Sequence, residues 1–290
     1  HMVDISTTQL AALSTTQMRA LQTADLAAIS TTAISAFGTS QLAALSTVQL
    51  EGLGTSQLVE LTTTQVAGLS TSQLASLTTG DLAALTTSQF AAMTTAQIAG
   101  LTTNQVAALE TADLVELGTS QIRAFTTSQV VALDTTQVAE LTTSQVAALS
   151  TTQVRAMQTA DIAAIETTDL AIMSTAQLAA MSTGQIDALG TTQLTSLTTS
   201  QLASLSTTQL AALSTADFAA LDSGQFVALT TQQIAGLTTN QIAAFETSDL
   251  IELGTSQIRA FTTSQIAALS TSHMVDISTT QLAALSTTQM

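Results

Sequence analysis

No cysteine, proline, tryptophan, tyrosine or lysine occurs in this 290-residue chain. The missing cysteine and lysine remove most covalent nucleophiles and thiolate metal sites. The missing cysteine also leaves the redox compartment open. Seven phenylalanines are the only aromatics, and Arg19, Arg123, Arg155 and Arg259 are the only Lys or Arg residues, against a net charge of −16. Nucleic acid is therefore a poor partner, because binding it depends on basic groups neutralising phosphates. The longest apolar runs are a few residues, so no membrane insertion is expected, and the start shows no signal-peptide pattern. A charged fraction of 8% with few aromatics could indicate disorder, but 46% of the residues are hydrophobic and they are regularly placed.

What the chain has is one phrase. The 280 residues from Ser6 to Leu285 divide into 35 octads without insertion or deletion, the first being Ser6-Thr7-Thr8-Gln9-Leu10-Ala11-Ala12-Leu13. A fixed period of this kind signals a solenoid or array and overrides any reading by separate globular domains. Numbered from its first Ser or Thr, the octad is apolar at positions 5 and 8 in every copy. Position 2 is Thr except at Ser223. Position 4 is Gln in 26 copies and Asp in seven, with Ala33 and His273 as exceptions. Positions 6 and 7 are mostly Ala, with occasional charge as at Arg19, Glu51, Asp187, Glu60 and Glu140.

Positions 5 and 8 are three apart and share one helical face. Leu, Ala and Gln favour helix over strand. The opening Ser/Thr-Thr-x-Gln fits a capping box, in which a short side chain accepts from the N3 amide and Gln at N3 reaches back. Positions 2 to 8 therefore read as a short helix, with position 1 as its cap. One continuous helix fails on geometry: eight residues at about 100° each leave a drift near 80° per octad, so the apolar stripe would wind round the helix. The chain must break once per octad, and the Thr-rich start is the expected place, since its side chains compete for backbone hydrogen bonds. A lone octad is too short to be stable in water, so stability must come from stacked neighbours. The expected fold is all-α: a superhelical solenoid of short Thr-capped helices, one per repeat. The alternative is a β-solenoid carrying an amide ladder of the position 4 glutamines.

Five octads begin with a long residue, namely Gln22, Glu110, Gln158, Glu166 and Glu246, and all five carry Asp at position 4: Asp25, Asp113, Asp161, Asp169 and Asp249. The exchange suggests that the side chains at positions 1 and 4 touch and share a volume, or that the cap is reversed with Asp near the helix dipole.

Residues 1–290 form one continuous octad-repeat region containing a 136-residue duplication, 1–136 and 137–272. Gln22-Thr-Ala-Asp25 returns as Gln158-Thr-Ala-Asp161, and Gly118 to Ser128 returns unchanged as Gly254 to Ser264. Residues 273–290 repeat 1–18, including His-Met-Val-Asp-Ile. His-Met resembles a cloning scar. Either one coding unit was concatenated, or the chain is a stretch of a head-to-tail polymer of a 272-residue unit.

Chemistry has little to stand on. The only histidines, His1 and His273, fall in the scar-like segment, and acid–base work needs such groups in a pocket. The acidic octads are too sparse, and lack the turn glycine, for a calcium loop. No enzyme activity and no catalytic, cofactor-binding or metal-ligating residue is expected, and no cofactor. The four arginines lie near acidic octads and read as exposed ion pairs. Regular Thr and Ser could also form a hydroxyl ladder for a repetitive ligand such as ice or polysaccharide.

The phrase Thr142-Thr-Ser-Gln-Val-Ala-Ala-Leu149 resembles the octapeptide tracts of very large bacterial surface proteins, of the adhesin or biofilm kind, along essentially the whole chain. That resemblance implies an extracellular or cell-surface setting and a stalk or spacer role. It carries over no functional residues. The expected function is structural: an extended spacer, self-associating end to end into filaments. The alternative is a binding module presenting a regular Thr/Ser/Gln surface.

Overall fold

The computed structural model describes residues 5–290; His1, one of the two candidate acid–base groups, lies outside the described residues. Among those residues there are 35 α-helices and no strand, which excludes the β-solenoid and its amide ladder. Every helix begins at octad position 2 and runs four to six residues, as in Thr31–Ile34, Thr63–Ala67 and Thr71–Ser76. The all-α solenoid is the observed fold.

The capping box is what starts each helix. At Thr71–Ser76, the Ser70 amide donates to Gln73 Oε1 at 2.8 Å and the Gln73 amide donates to Ser70 Oγ at 3.2 Å. Two orphan amide donors are thereby satisfied reciprocally. Where position 1 is glycine only half the box survives, as in the 2.6 Å bond from the Gly38 amide to Gln41 Oε1.

The helices stop earlier than position 8. They end at position 6 or 7 in most octads, and position 8 is extended, as at Leu77 with φ −62° and ψ 142°. Position 1 is extended too, with φ −74° and ψ 157° at Ser70. The break is thus the pair 8–1: it includes the Ser or Thr that opens the octad, as at the extended Thr94, while Thr at position 2 is already helical. Two consecutive extended residues redirect the chain while the position 8 side chain still turns inward. No residue, glycine included, has positive φ among those described. The junction needs no left-handed residue, so the octad can be written without proline and mostly without glycine.

The chain forms two compact units, His1–Ala148 and Leu149–Met290. The octad phase runs through the boundary, with helices Thr143–Ala148 and Thr151–Ala156 one octad apart. In the first unit, Thr71–Ser76 packs between Thr47–Glu51 and Thr95–Gly100, three octads before and after it. In the second, Thr207–Ala212 packs between Thr183–Asp187 and Thr231–Gly236 in the same way. Each unit is therefore a solenoid whose helices stack three octads apart.

The core is built from positions 5 and 8. Leu42, Leu74, Leu202 and Leu210 at position 5 are fully buried, and Leu45, Leu77 and Leu213 at position 8 nearly so. Full burial of such a side chain contributes about 1.5 to 3 kcal/mol. In the second unit Phe218, Phe226 and Phe245 meet in this core, with ring centroids 4.7 to 5.4 Å apart. Position 7 lies at the edge, directly over the position 2 threonine of the turn below. A Cβ added at Gly100 would come within 2.8 Å of Thr71 Cβ, and one at Gly236 within 2.7 Å of Thr207 Cβ. That close approach favours the Ala or Gly found at position 7 in most octads.

Candidate functional site

The one arrangement with distinctive polar chemistry is the seam between successive turns, and position 4 glutamine makes it. Gln73 uses its oxygen for the cap of its own helix. Its amide nitrogen points the other way and donates to Leu42 O at 2.8 Å and Leu45 O at 2.9 Å, 31 and 28 residues earlier. Those acceptors are positions 5 and 8 of an octad four repeats back. Gln97 reaches Val66 O and Leu69 O at 2.8 Å each. In the second unit Gln233 reaches Leu202 O at 3.1 Å and Leu205 O at 2.7 Å. Since 28 and 31 residues lie between three and four octads, one superhelical turn takes between three and four repeats.

The acceptors are the position 5 carbonyl, which also takes the position 8 amide of its own octad, as Leu42 O does from Leu45 at 3.1 Å, and the carbonyl of the extended position 8, which lies at the break. Buried backbone oxygens without partners are costly, so the glutamine amide solves a problem that every break in the chain creates. Gln73, Gln97 and Gln241 are each 2% exposed or less. From Gln41 to Gln281 the glutamine column is interior, and there a ligand-facing surface of Thr, Ser and Gln reduces mainly to Thr and Ser at positions 1 to 3.

Other residue types at position 4 show what the site requires. His273 is 4% exposed and imitates glutamine: its Nδ1 accepts from the Ser270 amide at 3.1 Å, and its Nε2 lies 2.9 Å from Phe245 O, 28 residues back. The imidazole is a structural member of the seam, with a cap contact on one nitrogen and a carbonyl on the other. Aspartate has no amide to donate, and it keeps the cap contact where position 1 is glutamine. The Gln22 amide donates to Asp25 Oδ2 at 3.1 Å, and the Gln158 amide to Asp161 Oδ2 at 3.2 Å.

The long position 1 residue does not fill the space that aspartate leaves. Glu110, Glu166 and Glu246 are exposed and make no side-chain cap bond, while Asp113, Asp169 and Asp249 beside them are buried. The carboxylate of position 1 is drawn to water, which a shared buried volume would deny it. Burial, reinforced by the Glu110 charge, pushes the Asp113 carboxyl up to about 6. Asp249 is also raised, first by burial and then by Glu246 and Asp222, while the Ser223 hydroxyl opposes the shift. Ser223 Oγ donates to Asp249 Oδ1 at 2.8 Å. The one octad with serine at position 2 thus sits under one of these aspartates.

Two arginines add a second seam contact. Arg123 Nε donates to Ala148 O at 3.1 Å, and Arg259 Nε donates to Ala284 O at 3.3 Å, each 25 residues further on. These are carbonyls at a helix C-terminus, where a cation is favoured. Beyond the ion pairing expected of them, these two side chains bridge successive turns.

No group of three or more His, Cys, Asp or Glu that could hold a metal occurs among the described residues. The concavities are open surface grooves, such as one lined by Arg19, Leu21, Thr23, Ala44, Ser46 and Gln49. No helix among the described residues is long and apolar enough to cross a membrane.

A family model described as the ALTTAQ repeat matches the chain eight times, over residues 18–55, 47–79, 75–109, 106–143, 162–199, 196–231, 213–245 and 242–276. Those letters fall on octad positions 7, 8, 1, 2, 3 and 4, as in Ala92-Met93-Thr94-Thr95-Ala96-Gln97, so the family's phrase spans the helix break, the cap and the seam glutamine. No curated protein is similar to the chain.

Proposed function

We propose, from the premise that this chain belongs to the ALTTAQ repeat family, that it is a non-enzymatic spacer: a stalk segment of a bacterial surface protein whose repeats set a length. The observation that carries this reading is the seam. Interior octads direct their apolar residues and their glutamine amides at the neighbouring turn, in both units alike. Stability is then shared along one dimension, and adding repeats adds length without adding chemistry. The surface setting is drawn from the resemblance to octapeptide tracts. The finer form of this reading is that copies also associate end to end.

Small-angle scattering on the chain and on variants lengthened by whole octads tests the spacer. The largest dimension should grow in equal steps with each three octads added. A dimension that stays constant as octads are added would defeat it.

A further inference from the structure

We propose that the octads of Asp113 and Asp249 are acid-closed joints within their stacks: protonated, each carboxyl donates to the position 8 carbonyl of the octad four repeats back, and ionised, it leaves that carbonyl without a donor. The device goes beyond the spacer reading and does not depend on it.

Position 4 is where an interior glutamine crosses the seam. Asp113 and Asp249 occupy it and are buried like the glutamines, at 5% and 6% exposure. Each follows a glutamate at position 1, and no capping box forms at Glu110 or Glu246. The carboxyl is therefore not held at its own helix start, as those of Asp25 and Asp161 are. At Asp249 its direction is visible: Oδ1 accepts from Ser223 Oγ at 2.8 Å, and Ser223 lies two residues past Leu221. The aspartate side chain, one carbon shorter than glutamine, thus already reaches the turn below.

The residues 31 and 28 back are Leu82 and Leu85 for Asp113, and Phe218 and Leu221 for Asp249. Leu82 O already accepts from the Leu85 amide at 3.1 Å, and Phe218 O from the Leu221 amide at 3.3 Å. Leu85 O and Leu221 O lie at the break and have no glutamine amide to meet. A protonated carboxyl has one donor to give, and each joint has one position 8 carbonyl to receive it. An ionised carboxyl instead turns a second acceptor toward that carbonyl.

The surroundings favour the proton. Glu110 and Glu116 belong to the octad of Asp113, Asp81 to the octad that holds Leu85, and Asp134 and Glu140 to the octad of Thr135–Ala139, which packs on Thr111–Val115. The helix Thr87–Ala91, packed on its other side, carries no titratable side chain, and Arg123 in the following octad supplies a cation. At Asp249 the neighbours are Glu246 and Glu252 in its own octad and Asp217 and Asp222 in the turn below, against Arg259 in the following octad. The helix Thr271–Asp276, packed on Thr247–Glu252, brings His273 and Asp276. Burial first and Glu110 second raise the Asp113 carboxyl to about 6, and burial raises Asp249 against the Ser223 hydrogen bond. The Asp113 joint therefore closes as pH falls through about 6 and opens above it.

Hydrogen exchange read by mass spectrometry on the full chain tests this, with Asp113→Asn and Asp113→Ala beside the parent. Asparagine keeps the shape and carries a permanent amide donor, whereas alanine is neutral and has none. Peptides covering residues 78–93 and 110–117 report the joint, and peptides covering 38–61, where glutamines hold the seam, are the reference. Corrected for the intrinsic effect of pH, exchange at the joint of the parent should slow about fivefold between about pH 7.5 and about pH 5, with little change in the reference. Asp113→Asn should match the acid form of the parent at both pH values, and Asp113→Ala should lack that protection at both. Equal protection in the two variants would show that removing the charge is enough, and would overturn the donated bond. A parent joint that exchanges alike at both pH values overturns it too. The same pair of substitutions at Asp249 repeats the test in the second unit, so a variant that fails to fold at one joint leaves the other to decide. Either failure leaves the spacer reading standing, since that is a dimension measured by scattering.

Discussion

At the scale of single residues, one side chain serves two helices. Glutamine is long enough to cap its own helix with oxygen and still send nitrogen into the turn below. Glutamate would cap equally well but has no donor. Gln97→Glu should therefore place a carboxylate against Val66 O and Leu69 O, and the loss should be about 3 kcal/mol or more. Denaturant unfolding of the variant measures it, with Gln9→Glu as the control expected to change stability little. Equal effects at the two sites would show that capping alone explains position 4. This double use was legible in one respect only. Glu never occurs at position 4 although a capping box accepts it, and that absence was the available sign that the amide nitrogen is needed. Where the nitrogen goes could not be read, because the turn length that brings residues 28 and 31 apart together is a property of packing. Asp113 gives a second test at this scale. Its carboxyl, ordinarily at 3.8, is raised to about 6 in the fold. The folded state therefore holds the proton more tightly than the unfolded state. Between pH 3.8 and about 6 this residue makes the protein less stable as pH rises, and the cost is complete above that range. Asp113→Asn should raise the melting temperature near pH 7, and the gain should shrink to nothing near pH 4. A gain that is the same at both pH values would remove the ionisation from the explanation.

At the scale of the element, the helix of four to six residues is held by its ends. It gains little from propensity at that length, so the cap and the two flanking extended residues define it. The start was readable because a capping box is local chemistry. The end was not: Leu at position 8 is as good a helix former as Leu at position 5, and only stacking on another turn decides that Leu77 leaves the helix while Leu74 stays. At position 7 the helix comes close to a partner, the position 2 threonine of the turn below. Two glycines of the second unit separate local from packing effects. A methyl added at Gly184, at position 3, would have only Thr159 Cγ2 near it, at 4.0 Å, whereas one at Gly236, at position 7, would face Thr207 Cβ at 2.7 Å. Alanine in a helix is worth about 1 kcal/mol over glycine. Gly184→Ala should thus raise the melting temperature slightly, while Gly236→Ala should lower it as the turn is forced off Thr207. Shifts of the same sign in a pair of thermal melts would show that propensity outweighs the close contact.

At the scale of the whole molecule, the seam ties octads to octads by position and not by identity. Interior glutamines meet positions 5 and 8 of the repeat four back whatever residues stand there: Leu42 and Leu45, Val66 and Leu69, or Leu202 and Leu205. Because a turn contains a non-integral number of octads, no octad belongs to a particular turn, and every octad is both floor and ceiling. This gives the chain an unusual tolerance that can be measured. Deleting residues 94–101, one whole octad, moves each amide that bridges the cut onto the acceptors of the neighbouring octad, which present the same two carbonyls and two apolar side chains. Far-ultraviolet circular dichroism per residue should be unchanged and unfolding should remain cooperative. Deleting residues 94–97 instead removes half an octad. The amides that bridge the cut then face positions 1 and 4, where no apolar pair of side chains lies beside the carbonyls. Helical content should fall around the cut and unfolding should broaden or divide into two steps. If both deletions melt alike, the stack would owe its stability to general apolar burial, and the register of the seam would be a consequence of the fold and not its cause.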